Sequence, residues 1–373
     1  VAGLAASHDR TGCMLHTSYL PARFRWLQRT QSESMTRAHR WISIGEYVMQ
    51  RLSGHSWVSY SVASWTGLLN QRGLTWDADW LDILGMTEEQ LSPLKDVSDA
   101  EQGLASDWAA RWPALANAAI YPAIGDGAAA NIGSGCDTTD RIALTIGTTA
   151  AMRMVVEPSI DDVPSGLWLY RVSAQRGLLG GATTEGGSLF AWLVQNLQLP
   201  SGDALETELA NRQPAAHGLT VMPFIGGERA PGWNEAARGL YGGISMHTNA
   251  VDLVQASLES MAYRFKLIHD RIKAHLPVDA HQTIIASGGA GLRSPAWLQI
   301  IADVLNEPVV ALEESELTSR GIALLALEAL GVIGQPSDLQ PSTGAVFQPD
   351  AGRHAAHTSA LEKHVGMYDL LYR

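Results

Sequence analysis

The stretch RIALTIGTTAAMRMVV, Arg141 to Val156, is where this chain changes texture. β-Branched and alternating residues run through it and break only at Gly147-Thr148-Thr149, the pattern of two strands joined by a tight turn. Downstream, the same alternation of strand and helix keeps returning. A strand is expected just before LLGGATTEGGSLFAWL, whose glycines lead into a helix ending near Leu199, ahead of Pro200. Val251, Val254, Leu258, Met261, Phe265, Ile268 and Ile272 step by three and four, which predicts one long helix behind a Thr248/Asn249 cap. TIIA (Thr283–Ala286) reads as a strand and SGGAGLR as a turn. The following helix has Ser294 as N-cap and Pro295 at its first position. VVAL and SRGIALLALEALG repeat strand and helix, with Gly331 as the stop, and the polar residues 335–352 read as loop. From about Asp137 onward the expectation is therefore α/β, helices packed on a central sheet.

Upstream, Ser18 to about Leu104 is mainly helical in pattern. Ser43/Glu46 and Thr87/Gln90 have the spacing of capping boxes, and Gly54 and Gly85 fall where helices stop. Tryptophan recurs here (Trp26, Trp41, Trp57, Trp65, Trp76, Trp80), as core filling or as a platform for a sugar ring.

With 373 residues, 46% hydrophobic and 17% charged, the chain has material for two cores. A formal charge of −12 and the lack of a Lys/Arg cluster argue against a nucleic-acid binder. Cys13 and Cys136 are too few for a disulfide framework and not spaced as metal ligands, so a reducing, cytoplasmic setting is expected. No apolar run reaches the roughly 18 residues of a membrane span, and the opening VAGLAASHDRTG has neither a signal-peptide pattern nor an initiator Met. The oligomeric state cannot be read from the residues; a homodimer is one state open to the chain.

Three places could carry chemistry. Asp126 stands alone between glycines in IGDGAAANIGSG (Ile124–Gly135), as a general base open to substrate would, or as the N-cap of a helix would. TIGTTA can offer amides and hydroxyls to phosphates, though the same letters make ordinary hairpins. SGGAGLR lets a ligand approach backbone, yet neither G-x-G-x-x-G nor a P-loop occurs, which disfavours dinucleotide dehydrogenases and P-loop enzymes.

Taken in order, GDGAAANIGSG, LTIGTTAAMR, GLWLYRV, GGATTEGGSLFAWL, MPFIGGERAPGWNEAARGLYGGI, ASGGAGLRSPAWLQIIADVLNEPV and ELTSRGIALLALEALG resemble the motifs of the FGGY carbohydrate kinases. GLYGGISMHTNAVDLVQASLE (Gly239–Glu259) is similar to the family's signature segment. RTGCMLHTSYLPARFRWL and GLWLYRV look most like the gluconate-kinase branch.

The resemblance implies an actin-like ATPase fold: two ribonuclease H-like domains, with ATP, Mg2+ and a sugar or sugar acid meeting in the cleft. Residues 1–136 would be the remainder of the N-terminal sugar-binding domain and residues 137–373 the C-terminal nucleotide-binding domain. It implies that Asp126 is the catalytic base, its flanking glycines letting the sugar come close. Gly147, Thr148 and Thr149 would bond the β- and γ-phosphates. Gly187, Gly288, Gly289 and Ala290 would line the adenosine pocket, with Arg293 and Ser294 beside the adenine. GGERAP (Gly226–Pro231) matches a family segment whose Glu-Arg pair is either a structural ion pair or a substrate contact. The family's second phosphate motif, D-x-G-T on an opening hairpin, is not in these residues, so the first domain is expected to be incomplete. Gluconate is the acceptor favoured by the resemblance. Xylulose or another ketose or polyol, and a nucleotide-binding relative without activity, are the alternatives.

Overall fold

Seven strands of the second half form one sheet in the computed structural model, which describes residues 2–157, 162–277 and 280–372. They are β1 (Arg141–Ile146), β2 (Ala150–Val156), β3 (Trp168–Arg171), β4 (Gly177–Thr183), β5 (Thr283–Ser287), β6 (Val309–Leu312) and β7 (Thr343–Phe347). Their spatial order is β7-β6-β5-β1-β2-β4-β3, parallel across β6-β5-β1 and antiparallel elsewhere. The β1-β2 hairpin expected at Gly147–Thr149 is there, with Ile146 paired to Ala150.

The strands' two-residue period sorts their side chains onto two faces. Ile142, Leu144, Ile146, Met152 and Met154 enter one core, while Val155, Trp168, Tyr170 and Leu178 enter another. Helices cover both faces. In chain order the helices of the whole chain begin with α1 (Ala2–Thr11), α2 (Leu20–Thr30), α3 (Ser32–Arg37), α4 (Ile44–Ser53), α5 (Tyr60–Ser64), α6 (Ala78–Leu84), α7 (Ser106–Arg111) and α8 (Asp126–Gly133). They continue as α9 (Gly187–Asn196), α10 (Gly202–Asn211), α11 (Ala250–Lys273), α12 (Gly289–Leu292), α13 (Pro295–Leu305), α14 (Leu317–Ala329) and α15 (Ala351–Tyr372).

Helix α11 behaves as its spacing predicts. Asn249 caps it reciprocally with Asp252, and Val254, Leu258, Met261, Phe265, Ile268 and Ile272 are buried against the sheet. Each such side chain contributes about 1.5–3 kcal/mol by leaving water. Ser294 caps α13 ahead of Pro295, as expected. On the opposite face α8 lies on α14 so closely that a β-carbon on Gly133 or Gly321 would overlap the partner helix's backbone.

The first half holds the expected short helices around a separate core of Phe24, Val58, Leu68, Leu69, Trp76 and Leu81. The Ser43/Glu46 capping box forms, and Gly54 and Gly85 close α4 and α6 in left-handed conformation. Thr87/Gln90 caps only a single 3-10 turn, Glu88–Gln90. Trp57 and Trp76 are buried, whereas Trp26 is exposed. One expectation is corrected: residues 335–352 are not simply loop, because Thr343–Phe347 pairs with β6 as the sheet's edge strand. Its side chains are half to fully exposed, so no apolar alternation marked it.

Candidate active site

Ser59 and Ser61, at the start of α5, hold the segment that leads into α8. Ser59 Oγ donates to the Ala123 carbonyl at 2.6 Å, and the Gly125 amide donates to Ser61 Oγ at 3.2 Å. Asp126 follows as the first residue of α8 with Gly125 as N-cap, so the capping position read for Asp126 belongs to its neighbour. The Asp126 side chain is exposed, and one carboxylate oxygen accepts from the Gly127 amide at 2.6 Å. Negative charge at a helix start is favourable. The flanking glycines serve the protein rather than an incoming sugar. A β-carbon on Gly125 would meet the Trp65 ring at 2.7 Å, and one on Gly127 would meet Trp65 at 3.3 Å and Arg153 Nε at 3.2 Å.

Arg153 was not singled out from the sequence, yet it joins the two halves of the site. Rooted on β2 and half-buried, it donates to Thr145 Oγ1 at 3.4 Å, and Ser287 Oγ bonds the same threonine at 3.1 Å. Burial pulls its guanidinium below the ordinary pKa, and the nearby Asp126 carboxylate opposes that. An arginine stays charged through such a shift. The available sequence signal was one charge in the apolar strand AAMRMVV. Trp65 was noted only as one tryptophan among six.

Thr145 and Ser287 lie at the ends of the parallel strands β1 and β5, and the predicted nucleotide residues follow directly. Thr148 and Thr149 are exposed. The carbonyls of Gly147, Thr148 and Thr149 accept from the amides of Gly187 (2.8 Å), Ser188 (3.1 Å) and Gly147 (2.9 Å). With its acceptors occupied, the turn presents hydroxyl donors outward. Gly187, Gly288 and Ala290 are brought against it: a β-carbon on Gly187 would meet Ala290 Cβ at 2.5 Å, and one on Gly288, at φ 91°, would meet the Ile146 carbonyl at 2.5 Å. Gly289 faces open space, with nothing within 4 Å of a β-carbon there. Arg293 is exposed at the end of α12. Ser294 is committed elsewhere, its hydroxyl donating to Glu206 at 2.6 Å.

The pair in GGERAP divides. Glu228 is buried in an ion pair with Arg264 and accepts from Tyr368 at 2.7 Å, a structural arrangement. Arg229 lies within Coulombic range of Arg153, and its Nε is buried with no hydrogen-bond partner among the described residues. Glu185, between the phosphate turn and this loop, accepts from the Gly226 amide at 2.7 Å, and burial pushes its carboxyl up to about 7. A cavity of about 820 Å³ opens elsewhere, between His16, Trp233, Glu235 and Tyr368, and none of the predicted site residues lines it. Among the described residues no helix is long and apolar enough to cross a membrane.

Comparison with known proteins identifies the family. Residues 3–133 match the N-terminal domain, and residues 142–330 the C-terminal domain, of the FGGY family of carbohydrate kinases. The gluconokinase of Bacillus subtilis is 27% identical over 353 residues, covering 91% of this chain and 68% of that protein. The crystal structure of gluconate kinase from Lactobacillus acidophilus superposes with a TM-score of 0.89 at 26% identity, over 98% of this chain and 75% of that one. The ligand-bound xylulose kinase of the same organism gives 0.88, also at 26%, over 98% and 75%. This chain thus spans roughly two thirds to three quarters of the length of these relatives. On the match of both domain models and the whole-chain superposition onto a two-domain α/β sugar-kinase fold, the chain belongs to the FGGY family of carbohydrate kinases.

Proposed function

We propose that the chain transfers the γ-phosphoryl group of ATP to a hydroxyl of a sugar or sugar acid, gluconate first among the acceptors, with Asp126 as general base. One observation supports this reading: Arg153, with the Asp126 carboxylate in Coulombic range, donates to Thr145, which bonds Ser287 near the strand ends that lead into Gly147–Thr149 and Gly288. The acceptor hydroxyl gives its proton to Asp126 as its oxygen bonds the γ-phosphorus and the bond to the ADP oxygen breaks. Phosphoryl transfer asks a protein mainly for alignment and charge neutralisation. Thr148 and Thr149 supply donors for the phosphates, and the open space at Gly289 suits the adenosine.

Magnesium neutralises phosphate charge in such reactions. Among the described residues no group of three or more His, Cys, Asp or Glu side chains could hold it, so the phosphates and water would supply most of its ligands. We place the division of labour at residues 136/137, acceptor contacts before it and nucleotide contacts after. Gluconokinases match at 27–28% identity and xylulose kinases at 26%, so gluconate leads and xylulose is tested beside it.

The test is ADP release across gluconate, xylulose, ribulose and glycerol. Because a D-x-G-T motif is not in these 373 residues, both this chain and the longest product of its reading frame are assayed. Acceptor-dependent ADP release by either supports the reading, and none from either, with every acceptor, defeats it.

A further inference from the structure

Buried carboxylates in this chain are usually met by a cation: Glu228 by Arg264, Asp252 by Arg212, Asp303 by Arg353 and Glu307 by Lys273. Glu185 is not. Only 2% exposed, it accepts from the Gly226 amide at 2.7 Å and makes no ion pair within 4.0 Å among the described residues. A glutamine would accept the same bond without a charge to bury, so an acid at this position needs a reason.

Its place in the fold gives one. Glu185 stands between β4 and α9. On the α9 side, a β-carbon on Gly186 would meet the Thr149 carbonyl carbon at 2.7 Å, and the Gly187 and Ser188 amides donate to the Gly147 and Thr148 carbonyls. On the other side, the Glu185 carboxyl holds Gly226, the first residue of GGERAP, while the Ala230 amide near the end of that loop donates to the Ala182 carbonyl on β4 at 2.9 Å. One junction therefore fixes both the Gly147–Thr149 turn and the loop that carries Glu228 and Arg229.

Burial, reinforced by the neighbouring Glu228, pushes the Glu185 carboxyl up to about 7, against the Gly226 bond and Arg264 of α11. Glu228 is itself held by Arg264 and by Tyr368 of α15. Near neutral pH the junction thus holds both neutral and charged forms of Glu185. Phosphates at Thr148 and Thr149, beside Gly186, would add negative charge next to it and tip that balance towards the neutral form.

We propose that Glu185 is a positioning residue whose neutral form seats the GGERAP loop against the Gly147–Thr149 turn, and that binding of the polyanionic nucleotide draws a proton from solvent onto it. The inference rests on the reading of that turn as the phosphate site and adds a proton to its binding equilibrium. Because the neutral form binds better, affinity is greatest below about pH 7 and falls as the carboxyl ionises with rising pH.

The experiment is calorimetric titration of magnesium-ATP into wild type and Glu185→Gln between pH 6 and 9, in buffers of different ionisation enthalpy so that proton uptake is counted, with thermal unfolding to confirm the fold. A tenfold preference of the nucleotide for the neutral form predicts uptake of about half a proton per nucleotide at pH 7.5, and a roughly tenfold loss of wild-type affinity across the range. Glu185→Gln, which stays neutral and still accepts from Gly226, should take up no proton, match wild type at pH 6 and bind about tenfold more tightly at pH 9. Wild type that binds without proton uptake overturns the inference by itself and leaves the phosphate site standing. Uptake that persists in Glu185→Gln belongs to another group and also overturns it, as does a variant whose affinity differs from wild type by the same factor at every pH, which makes Glu185 a structural acceptor only. Folded wild type that binds no nucleotide removes the phosphate site and this inference together.

Discussion

Replacing Gly321 with alanine tests whether the contact that seats α8 is as close as described. Glycine to alanine inside a helix normally stabilises by about 1 kcal/mol. Here the new methyl would overlap the Ala129 carbonyl oxygen and lie 2.7 Å from its carbon and 2.9 Å from the Gly133 nitrogen. Ordinary contact begins near 3.4 Å, so α8 and α14 must part by at least about 0.7 Å. Overpacking of this kind costs about 1–3 kcal/mol, which outweighs the propensity gain and leaves a net loss of up to about 2 kcal/mol. For a chain of 373 residues, with about 2.1 cal/mol/K of unfolding entropy per residue, that lowers Tm by up to about 3 °C. Gly366, exposed on α15 with nothing within 4 Å of a β-carbon, is the control: Gly366→Ala should raise Tm slightly. Because α8 begins at Asp126, parting the helices also moves that carboxylate relative to Arg153, so kcat should fall in Gly321→Ala and hold in Gly366→Ala. Differential scanning calorimetry and ADP-release kinetics read both effects. A Gly321→Ala protein at or above wild-type Tm would refute the close crossing.

Asp126→Asn should cut kcat by roughly 100-fold or more, about 2.7 kcal/mol of transition-state stabilisation. The amide oxygen still accepts from Gly127, so ATP binding by calorimetry should hold; unchanged kcat removes Asp126 from the mechanism. Gly289→Val should weaken nucleotide binding with little change in Tm, since its side chain enters open space rather than core, and equal ATP affinity would move the adenosine elsewhere. Glu185 has a folded-state pKa raised by burial to about 7, with Arg264 opposing and Glu228 reinforcing the shift. Its contribution to stability is complete below its unfolded value of 4.5 and is lost as pH rises through about 7. Glu185→Gln should therefore gain stability relative to wild type between pH 4.5 and 7 and hold a constant advantage above, as Tm against pH will show; parallel curves would count against the buried carboxyl.

What could be read in advance was what local chemistry determines. The β1-β2 hairpin, the Asn249 and Ser294 caps and the stripe of α11 each declare themselves within a few residues. The ordered set of motifs likewise declared the family. Contacts between distant segments were not legible. Gly125 and Gly127 looked like room for a sugar because nothing nearby in sequence announces that Trp65 fills that space. Arg153 draws no reading from the sequence, since Asp126, its charged neighbour, lies 27 positions away. The edge strand Thr343–Phe347 escaped because exposed side chains on both faces erase the period that marks a strand.

The bonds from Gly187 and Ser188 to the Gly147–Thr149 turn have a thermodynamic side. Amides at a helix start are ordinarily free to exchange with solvent, yet these two are donated across the chain to fix Gly147 and Thr148 in the ligand-free fold. Loops that order on ligation subtract that ordering from affinity. This turn has its shape from folding, so the Gly187 and Ser188 amides should exchange slowly with deuterium in the ligand-free protein, and, if the turn holds phosphates as proposed, binding need not arrange the backbone that receives them.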